Sequence, residues 1–129
     1  MCKLVCNLNR MKEINLLGLH KLLTLRVIDH AKLKNLTDFI IFTDNRLKFY
    51  ELEKVGFSSY VFENNSFTVS YCLKESHICI HTWPEIEIVT LDVYICNYSQ
   101  NNTEKVQNIS ADFINFFSAT IRKEIEIER

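Results

Sequence analysis

The sequence predicts an α+β fold, a two-layer α/β sandwich in which an antiparallel sheet carries two helices on one face. Apolar–polar alternation recurs in several short segments, two longer segments show helical spacing, and the order is β-α-β-β-β-β-α-β. Runs of adjacent strands interrupted by two helices favour antiparallel pairing. With 129 residues, 47% hydrophobic and 24% charged, the chain is expected to form a single domain, 1–129. Residues 1–15 show no clear period and are expected to be a loose extension.

The first half of the chain supplies a strand, a helix and two further strands. Residues 17–28 are rich in aliphatic side chains that partly alternate with polar ones, which favours a strand. Apolar residues near helical spacing predict a helix over 36–55, and Gly56 is typical of a helix end. Two β-prone segments follow, 57–62 and 67–73, separated by the turn-forming residues Glu63-Asn64-Asn65-Ser66.

The second half continues with two strands, a helix and a final strand. Residues 76–83 alternate cleanly, and Pro84 cannot donate to a sheet ladder, so the strand should end there. Residues 88–96 alternate again. An apolar stripe from Val106 to Ile121, beginning after Thr103, a suitable N-cap, predicts a helix. Isoleucines between glutamates at 125–127 indicate a short edge strand.

Charge and composition exclude several functional classes. The net charge of −1 provides no global basic field for nucleic acid. No apolar run is long enough to span a bilayer, and residues 1–15 lack the apolar segment of a secretion signal, so we expect a cytoplasmic protein without membrane contact. The five cysteines are then expected to be reduced thiols, and their spacing does not favour a structural zinc site.

The Glu75–Ser76 bond is a candidate for self-cleavage. A serine hydroxyl can attack the carbonyl of the preceding residue and convert the peptide bond into an ester. A base that removes the serine α-proton then eliminates the upstream carboxylate, and the remaining dehydroalanine hydrolyses to a pyruvoyl group and ammonia. This chemistry needs a nearby base and hydrogen-bond donors. His81 is the candidate base, because an imidazole titrates near neutral pH, and Thr68 is a candidate donor.

Structural explanations of the same residues stay open at this point. A serine before a strand usually caps a turn, and His77, Cys79 and His81 can simply form the half-buried face of a sheet. A metal site is the least favoured explanation. No acid or further histidine lies at a matching neighbour, and three side chains of one strand do not close a tetrahedral site.

The chain resembles the prokaryotic S-adenosylmethionine decarboxylase family, which is pyruvoyl-dependent and self-processing. Leu91–Cys96 looks like the family's second block, Leu17–His20 looks like its first strand, and Phe62 and Thr68 fall where the family has an aromatic residue and a serine. The resemblance covers about 16–129 and is strongest in the run Glu75-Ser76-His77-Ile78-Cys79-Ile80-His81-Thr82-Trp83-Pro84-Glu85.

This resemblance implies cleavage into fragments 1–75 and 76–129, the second beginning with a covalent pyruvoyl group derived from Ser76. The pyruvoyl group would form a Schiff base with the substrate amine and act as the electron sink for loss of carbon dioxide. The family assigns processing to Glu75, Ser76, Thr68 and His81, proton donation to Cys96, ribose binding to Glu85 and adenine stacking to Phe62. It also implies a homodimer of cleaved protomers.

The charge distribution fits two fragments that stay together. Fragment 1–75 has 11 Lys and Arg against 8 Asp and Glu, whereas fragment 76–129 has 4 against 8. The fragments therefore carry net charges of +3 and −4 and should attract one another.

The sequence departs from the family mainly around the substrate pocket. Asn97 replaces the glycine after the cysteine, Thr68 replaces a serine, Tyr60 replaces a histidine, and the turn at 63–66 lacks Pro and Gly. Asparagine tolerates left-handed backbone, so these turns can still form. The leading hypothesis is an S-adenosylmethionine decarboxylase that supplies spermidine biosynthesis. The alternatives are an arginine or ornithine decarboxylase with the same chemistry, and a catalytically inactive paralogue that acts as a partner subunit.

Overall fold

The computed structural model describes residues 16–129, and it confirms the predicted α+β sandwich. The strands are β1 Leu19–Arg26, β2 Lys54–Val61, β3 Phe67–Leu73, β4 His77–Trp83, β5 Ile88–Ile95 and β6 Thr120–Glu128. The helices are α1 His30–Leu33, α2 Leu36–Phe49 and α3 Thr103–Phe116, and Pro84–Ile86 forms a single 3₁₀ turn. The six strands form one antiparallel sheet in the order β2-β3-β4-β5-β1-β6.

The core lies between the sheet and the two long helices. Alternate residues of β1, β3, β4 and β5 point to this side and are buried. They pack against Phe39 of α2 and against Val106, Ile109 and Phe113 of α3. The predicted alternation is therefore confirmed in these four strands, because each of them has one buried, mainly apolar face.

The opposite side of the sheet, called here the open face, carries polar and aromatic side chains. Register places Thr68 of β3 opposite His81 of β4, and Cys79 of β4 opposite Asp92 of β5. His20 of β1 lies opposite Tyr94 of β5. Both long helices pack on the other side, so within residues 16–129 no helix covers the open face.

Strands from the two predicted fragments alternate in the sheet. The first three strands precede Ser76 in the sequence and the last three follow it. In space β1 lies between β5 and β6, and β3 pairs with β4. Separating the fragments would therefore break three strand pairings, β3–β4, β5–β1 and β1–β6.

The predicted end of the first long helix is wrong. The helix ends at Phe49 rather than at 55, and Gly56 lies inside β2. The helix stops at a Schellman motif in which Leu52 N–H donates to Leu47 O at 2.8 Å. Glu51 takes the left-handed position of this motif with φ 57°, so no glycine marks the end of the helix.

Other boundaries also differ. Helix α3 ends at Phe116 and does not reach Ile121, because Ser118 adopts φ 47° and Ala119 N–H donates to Ile114 O at 3.0 Å. Ile121 lies in β6, which is longer than the short strand predicted at 125–127.

Thr103 is the first residue of α3, and Asn102 occupies the N-cap position that was predicted for Thr103. The polar connection after β1 contains the short helix α1, which the Asp29 side chain caps by accepting from Ala31 N–H at 3.1 Å. In the turn between β2 and β3, Asn65 adopts φ 66°, as expected for an asparagine.

The predicted loose extension, residues 1–15, lies outside the described residues. Among the helices of residues 16–129, none combines the length and the apolar character that crossing a bilayer would need.

Candidate active site

Ser76 lies at the end of a tight β-hairpin. Leu73 N–H donates to Ser76 O at 2.9 Å, so Lys74 and Glu75 form the two-residue loop between β3 and β4. Lys74 and Glu75 are exposed and Ser76 is half-buried. The Glu75–Ser76 peptide bond is thus presented at a turn, with paired strands fixing the chain on both sides.

Cys96 lies beside this bond. Its main-chain N–H donates to Ser76 Oγ at 3.1 Å, and its thiol donates to Glu75 Oε2 at 3.3 Å. Because Ser76 Oγ accepts a hydrogen bond from an amide, its own proton stays available for a base. These three residues, called here the Ser76 group, line a cavity of about 190 Å³.

The loop after β5 holds Cys96 in place through two buried asparagines. Asn102 Nδ2 donates to Cys96 O at 2.7 Å, and Asn102 N–H donates to Asn97 Oδ1 at 2.7 Å. Asn97 N–H in turn donates to Leu16 O at 2.9 Å. The sequence did not single out Asn102, because a buried asparagine in the 97–102 loop looks like any solvated loop residue.

Gly18 allows the close approach of the chain before β1 to Cys96. Its φ is +86°, and an added Cβ would lie 2.2 Å from Ile95 O and 2.8 Å from Cys96 Cα. Glycine at this position is therefore a steric requirement of the Ser76 group.

Thr68 and His81 form a second group, called here the His81 group. They are cross-strand partners, and Thr68 Oγ1 lies 2.7 Å from His81 Nδ1. This hydrogen bond orients the imidazole on the open face. The sequence named Thr68 and His81 separately, and the structure shows that the threonine hydroxyl contacts the imidazole.

The predicted substrate-binding residues Phe62 and Glu85 lie with the His81 group. Both line a cleft of about 680 Å³ together with Thr68, His81 and Trp83. The volume is in the range of small-molecule sites, whereas the cavity beside Ser76 is below it. Trp83 was not predicted as a lining residue, although strand alternation places it on the same face as His81.

The Ser76 group and the His81 group lie at opposite ends of β4. His81 is five positions after Ser76 in an extended strand, a spacing that spans roughly 17 Å. Hydrogen-bond reach for a general base is about 3 Å. The structure therefore contains two separate groups of predicted site residues. One consists of Ser76, Glu75 and Cys96, and the other consists of Thr68, His81, Phe62 and Glu85. The two groups do not meet within one chain.

A cluster of aromatic and charged residues lies on the open face, in the cross-strand row that contains His77 next to Ser76. His20 contacts the rings of His77 and Tyr94 at centroid distances of 5.5 and 5.6 Å. His20 Nε2 lies 3.9 Å from Asp92 Oδ2. Burial lowers the pKa of the His20 imidazole below its usual 6.5, although the Asp92 carboxylate opposes this effect. His20 thus favours the neutral form.

Fold and site together define a small α+β sandwich protein with a serine–thiol–carboxylate group at a hairpin and a histidine–hydroxyl pair in a cleft. A family model described as S-adenosylmethionine decarboxylase matches residues 19–125. The chain belongs to this family, which confirms the membership expected from the sequence.

Individual relatives agree with this assignment. A protein of Aquifex aeolicus named S-adenosylmethionine decarboxylase proenzyme is 39% identical over 80 residues, which cover 62% of this chain and 59% of that protein. The aligned part is thus less than two thirds of the length of that relative. A protein of the same name from a Sulfurihydrogenibium species is 32% identical over 93 residues, 72% of this chain and 70% of that one.

A solved structure extends the likeness to most of the fold. The crystal structure of the adenosylmethionine decarboxylase from Aquifex aeolicus superimposes with a TM-score of 0.78 at 29% identity. The match covers 89% of this chain and 92% of that one. Sheet and helices of the two proteins therefore correspond over nearly their whole length.

Proposed function

We propose that this chain is the proenzyme of an S-adenosylmethionine decarboxylase, a carboxy-lyase that supplies the aminopropyl donor for spermidine biosynthesis. The observation that carries the proposal is the Ser76 group. In a member of this family, Ser76 is placed at a hairpin with the Cys96 amide on its hydroxyl and the Cys96 thiol on Glu75. An inactive paralogue would not need to keep these three residues in contact.

The residues around Ser76 fit the formation of a pyruvoyl cofactor. Ser76 supplies the hydroxyl, and the hairpin presents the Glu75 carbonyl at an exposed turn. Once formed, a pyruvoyl group supplies the electron sink for decarboxylation. Cys96, which holds its proton beside Ser76, is placed to return a proton to the substrate carbon that loses carbon dioxide.

The larger cleft suits the nucleoside part of the substrate. Phe62 offers an aromatic face and Glu85 a carboxylate, which are the groups expected to stack on adenine and to accept from ribose hydroxyls. A cleft of about 680 Å³ is suitable for a ligand of this size. This arrangement favours S-adenosylmethionine over arginine or ornithine, which have no aromatic base.

The alternating strands support cleavage without dissociation. Because β1 of fragment 1–75 lies between β5 and β6 of fragment 76–129, the cleaved chains would stay in one sheet. Lys21 of β1 adds ion pairs with Glu124 at 2.7 Å and Glu126 at 3.1 Å on β6. The opposite net charges of the two fragments act in the same direction.

We further propose that two protomers pair through their open faces. This face exposes large apolar side chains, which is typical of a surface that is covered by a partner. They are Tyr60, Phe62, Trp83, Ile125 and Ile127, each between 41% and 63% exposed. Two such sheets would pack about 10 Å apart, as in other face-to-face sheet packings.

A dimer of this kind would also complete the active site. The two-fold axis would lie between the two open faces and perpendicular to the strands. The strands of the partner would then run in the opposite direction. The Ser76 end of β4 in one protomer then faces the His81 end of β4 in the other. Each complete site would combine the Ser76 group of one chain with the His81 group of its partner. The two groups would then be separated by a sheet spacing of about 10 Å, which side chains can bridge, and no longer by roughly 17 Å along one strand.

Intact-mass spectrometry and carbon dioxide release test the proposed activity. We expect the purified chain to split into 1–75 and a pyruvoyl-bearing 76–129, and Ser76→Ala to stay intact. The cleaved protein should release carbon dioxide from S-adenosylmethionine. Cys96→Ala should still cleave but lose turnover by about 10²-fold or more, the usual contribution of a proton donor.

Each alternative has its own outcome in these assays. A chain that stays uncleaved on incubation would contradict the enzyme and favour an inactive partner subunit. Release of carbon dioxide from arginine or ornithine, but not from S-adenosylmethionine, would assign the second substrate class. A cytoplasmic location stays a prediction of the sequence.

A further inference from the structure

We infer that the Glu75 side chain is a positioning residue for the Cys96 thiol, in addition to contributing the carbonyl that is cleaved. This inference rests on the proposed function, because it concerns the proton that Cys96 would deliver during turnover. It assigns Glu75 a role in the mature enzyme, as the last residue of fragment 1–75.

The contact is specific in its geometry. Cys96 Sγ donates to Glu75 Oε2 at 3.3 Å, while Cys96 N–H donates to Ser76 Oγ at 3.1 Å. A thiol is a weak donor that rotates freely about the Cα–Cβ bond, and a carboxylate is a strong, charged acceptor. The contact therefore fixes the rotamer of Cys96 so that its proton lies beside the Glu75–Ser76 junction.

The contact can persist after cleavage, because main-chain bonds hold the tail of fragment 1–75. Leu73 N–H donates to Ser76 O at 2.9 Å. This oxygen is not altered when the bond on the amino side of Ser76 is broken. Lys74 N–H donates to Glu53 O at 3.2 Å, which anchors the residue next to Glu75. The new chain end is thus tethered within reach of Cys96.

The chemical consequence concerns the placement of the thiol. A proton donor must lie within hydrogen-bond reach of the atom that receives its proton. Glu75 therefore holds the Cys96 thiol beside the residue that would become the pyruvoyl group.

Alkylation of Cys96 tests the contact without any turnover. Glu75→Gln in the uncleaved Ser76→Ala chain should raise the rate of Cys96 modification by iodoacetamide at pH 8 roughly fivefold, the factor that corresponds to release of the sulfur from one hydrogen bond of about 1 kcal/mol. Peptide mass spectrometry separates Cys96 from Cys72, an exposed free thiol that serves as internal reference. Glu53→Gln is the matched control, because it removes an equal charge nearby, keeps the main-chain carbonyl and should leave the Cys96 rate unchanged.

Turnover of the Ser76-containing chain tests the functional consequence. The Glu75→Gln chain should still cleave. Its kcat should then be lower by about tenfold, which is part of the rate enhancement that a proton donor contributes, and its KM should change little. A purely structural role would instead change KM.

The outcomes separate this inference from the proposed function. An unchanged Cys96 alkylation rate in Glu75→Gln overturns the inference, even if the native chain cleaves and turns over S-adenosylmethionine. A native chain that never cleaves overturns the proposed function, while the alkylation ratio still decides whether Glu75 controls the thiol. An unchanged kcat in cleaved Glu75→Gln would also overturn the inference.

Discussion

Complementation between two inactive variants is the sharpest test of the shared site. The perturbation is co-expression of Ser76→Ala with His81→Ala. Ser76 and His81 are separated by roughly 17 Å along β4, so a histidine cannot serve the serine of its own chain. Neither variant should cleave by itself. In a mixed dimer, one site combines the intact Ser76 of the His81→Ala chain with the intact His81 of its partner.

The expected extent of cleavage follows from random pairing. With equal amounts of the two chains, half of the dimers are mixed, and about half of the His81→Ala chains should be cleaved. The Ser76→Ala chains should stay intact throughout. Intact-mass spectrometry reads both populations, because the two variants differ in mass.

Controls make the complementation result decisive. The double variant Ser76→Ala, His81→Ala should give no cleavage when it is co-expressed with His81→Ala. An absence of cleavage in the complementing mixture, over a time in which the native chain is fully processed, would refute the shared site. Cleavage of His81→Ala by itself would show that His81 is not the required base.

Two further predictions concern the frame of the site. Lys21→Met should lower the free energy of unfolding of the uncleaved Ser76→Ala chain by about 2 kcal/mol, measured by urea unfolding. This value is typical of charge-assisted hydrogen bonds, reduced because Glu124 and Glu126 are partly exposed. The control Lys74→Met removes only the exposed ion pair with Glu53 and should have little effect. Hydrogen bonds from Gln107 and Lys21 lower the pKa of Glu126 below 4.5, so its stabilising contribution is present at neutral pH and is lost as the pH falls through this lowered value. Equal stability of Lys21→Met and the parent at pH 7 would contradict this. Gly18→Ala should lower the free energy of unfolding by about 3 kcal/mol, because the residue has a positive φ and the new Cβ would clash with Ile95 O. The control Gly56→Ala should lower it far less. Equal effects of the two substitutions would contradict the steric role of Gly18.

Sequence periodicity was sufficient for the type and order of the main elements. Period-two alternation and turn-forming residues are local properties, and they located the first five strands to within about three residues. The final strand begins at Thr120, well before the short stretch predicted at 125–127. The helix end at Gly56 was wrong for a local reason as well. Glu51 adopted the left-handed position itself, which a rule based on glycine cannot detect.

The candidate site likewise has residues that the sequence could identify and contacts that it could not. Composition and spacing in 75–85 supplied a serine, a base and a carboxylate, because their chemistry is a property of residue type. The sequence could not show that Cys96 contacts Glu75 and Ser76. It also could not show that Asn102 donates to the Cys96 carbonyl. Those contacts depend on how β5 and its loop lie against the hairpin.

By itself, therefore, the sequence determined an antiparallel α+β sandwich and the family to which the chain belongs. It also identified Ser76 as the candidate source of a pyruvoyl group. The tertiary structure alone decided that Thr68 meets His81, that Glu75 meets Cys96, and that these two pairs lie at opposite ends of one strand. The physical reason is that cross-strand register joins residues far apart in the chain, while an extended strand separates residues that are close in sequence.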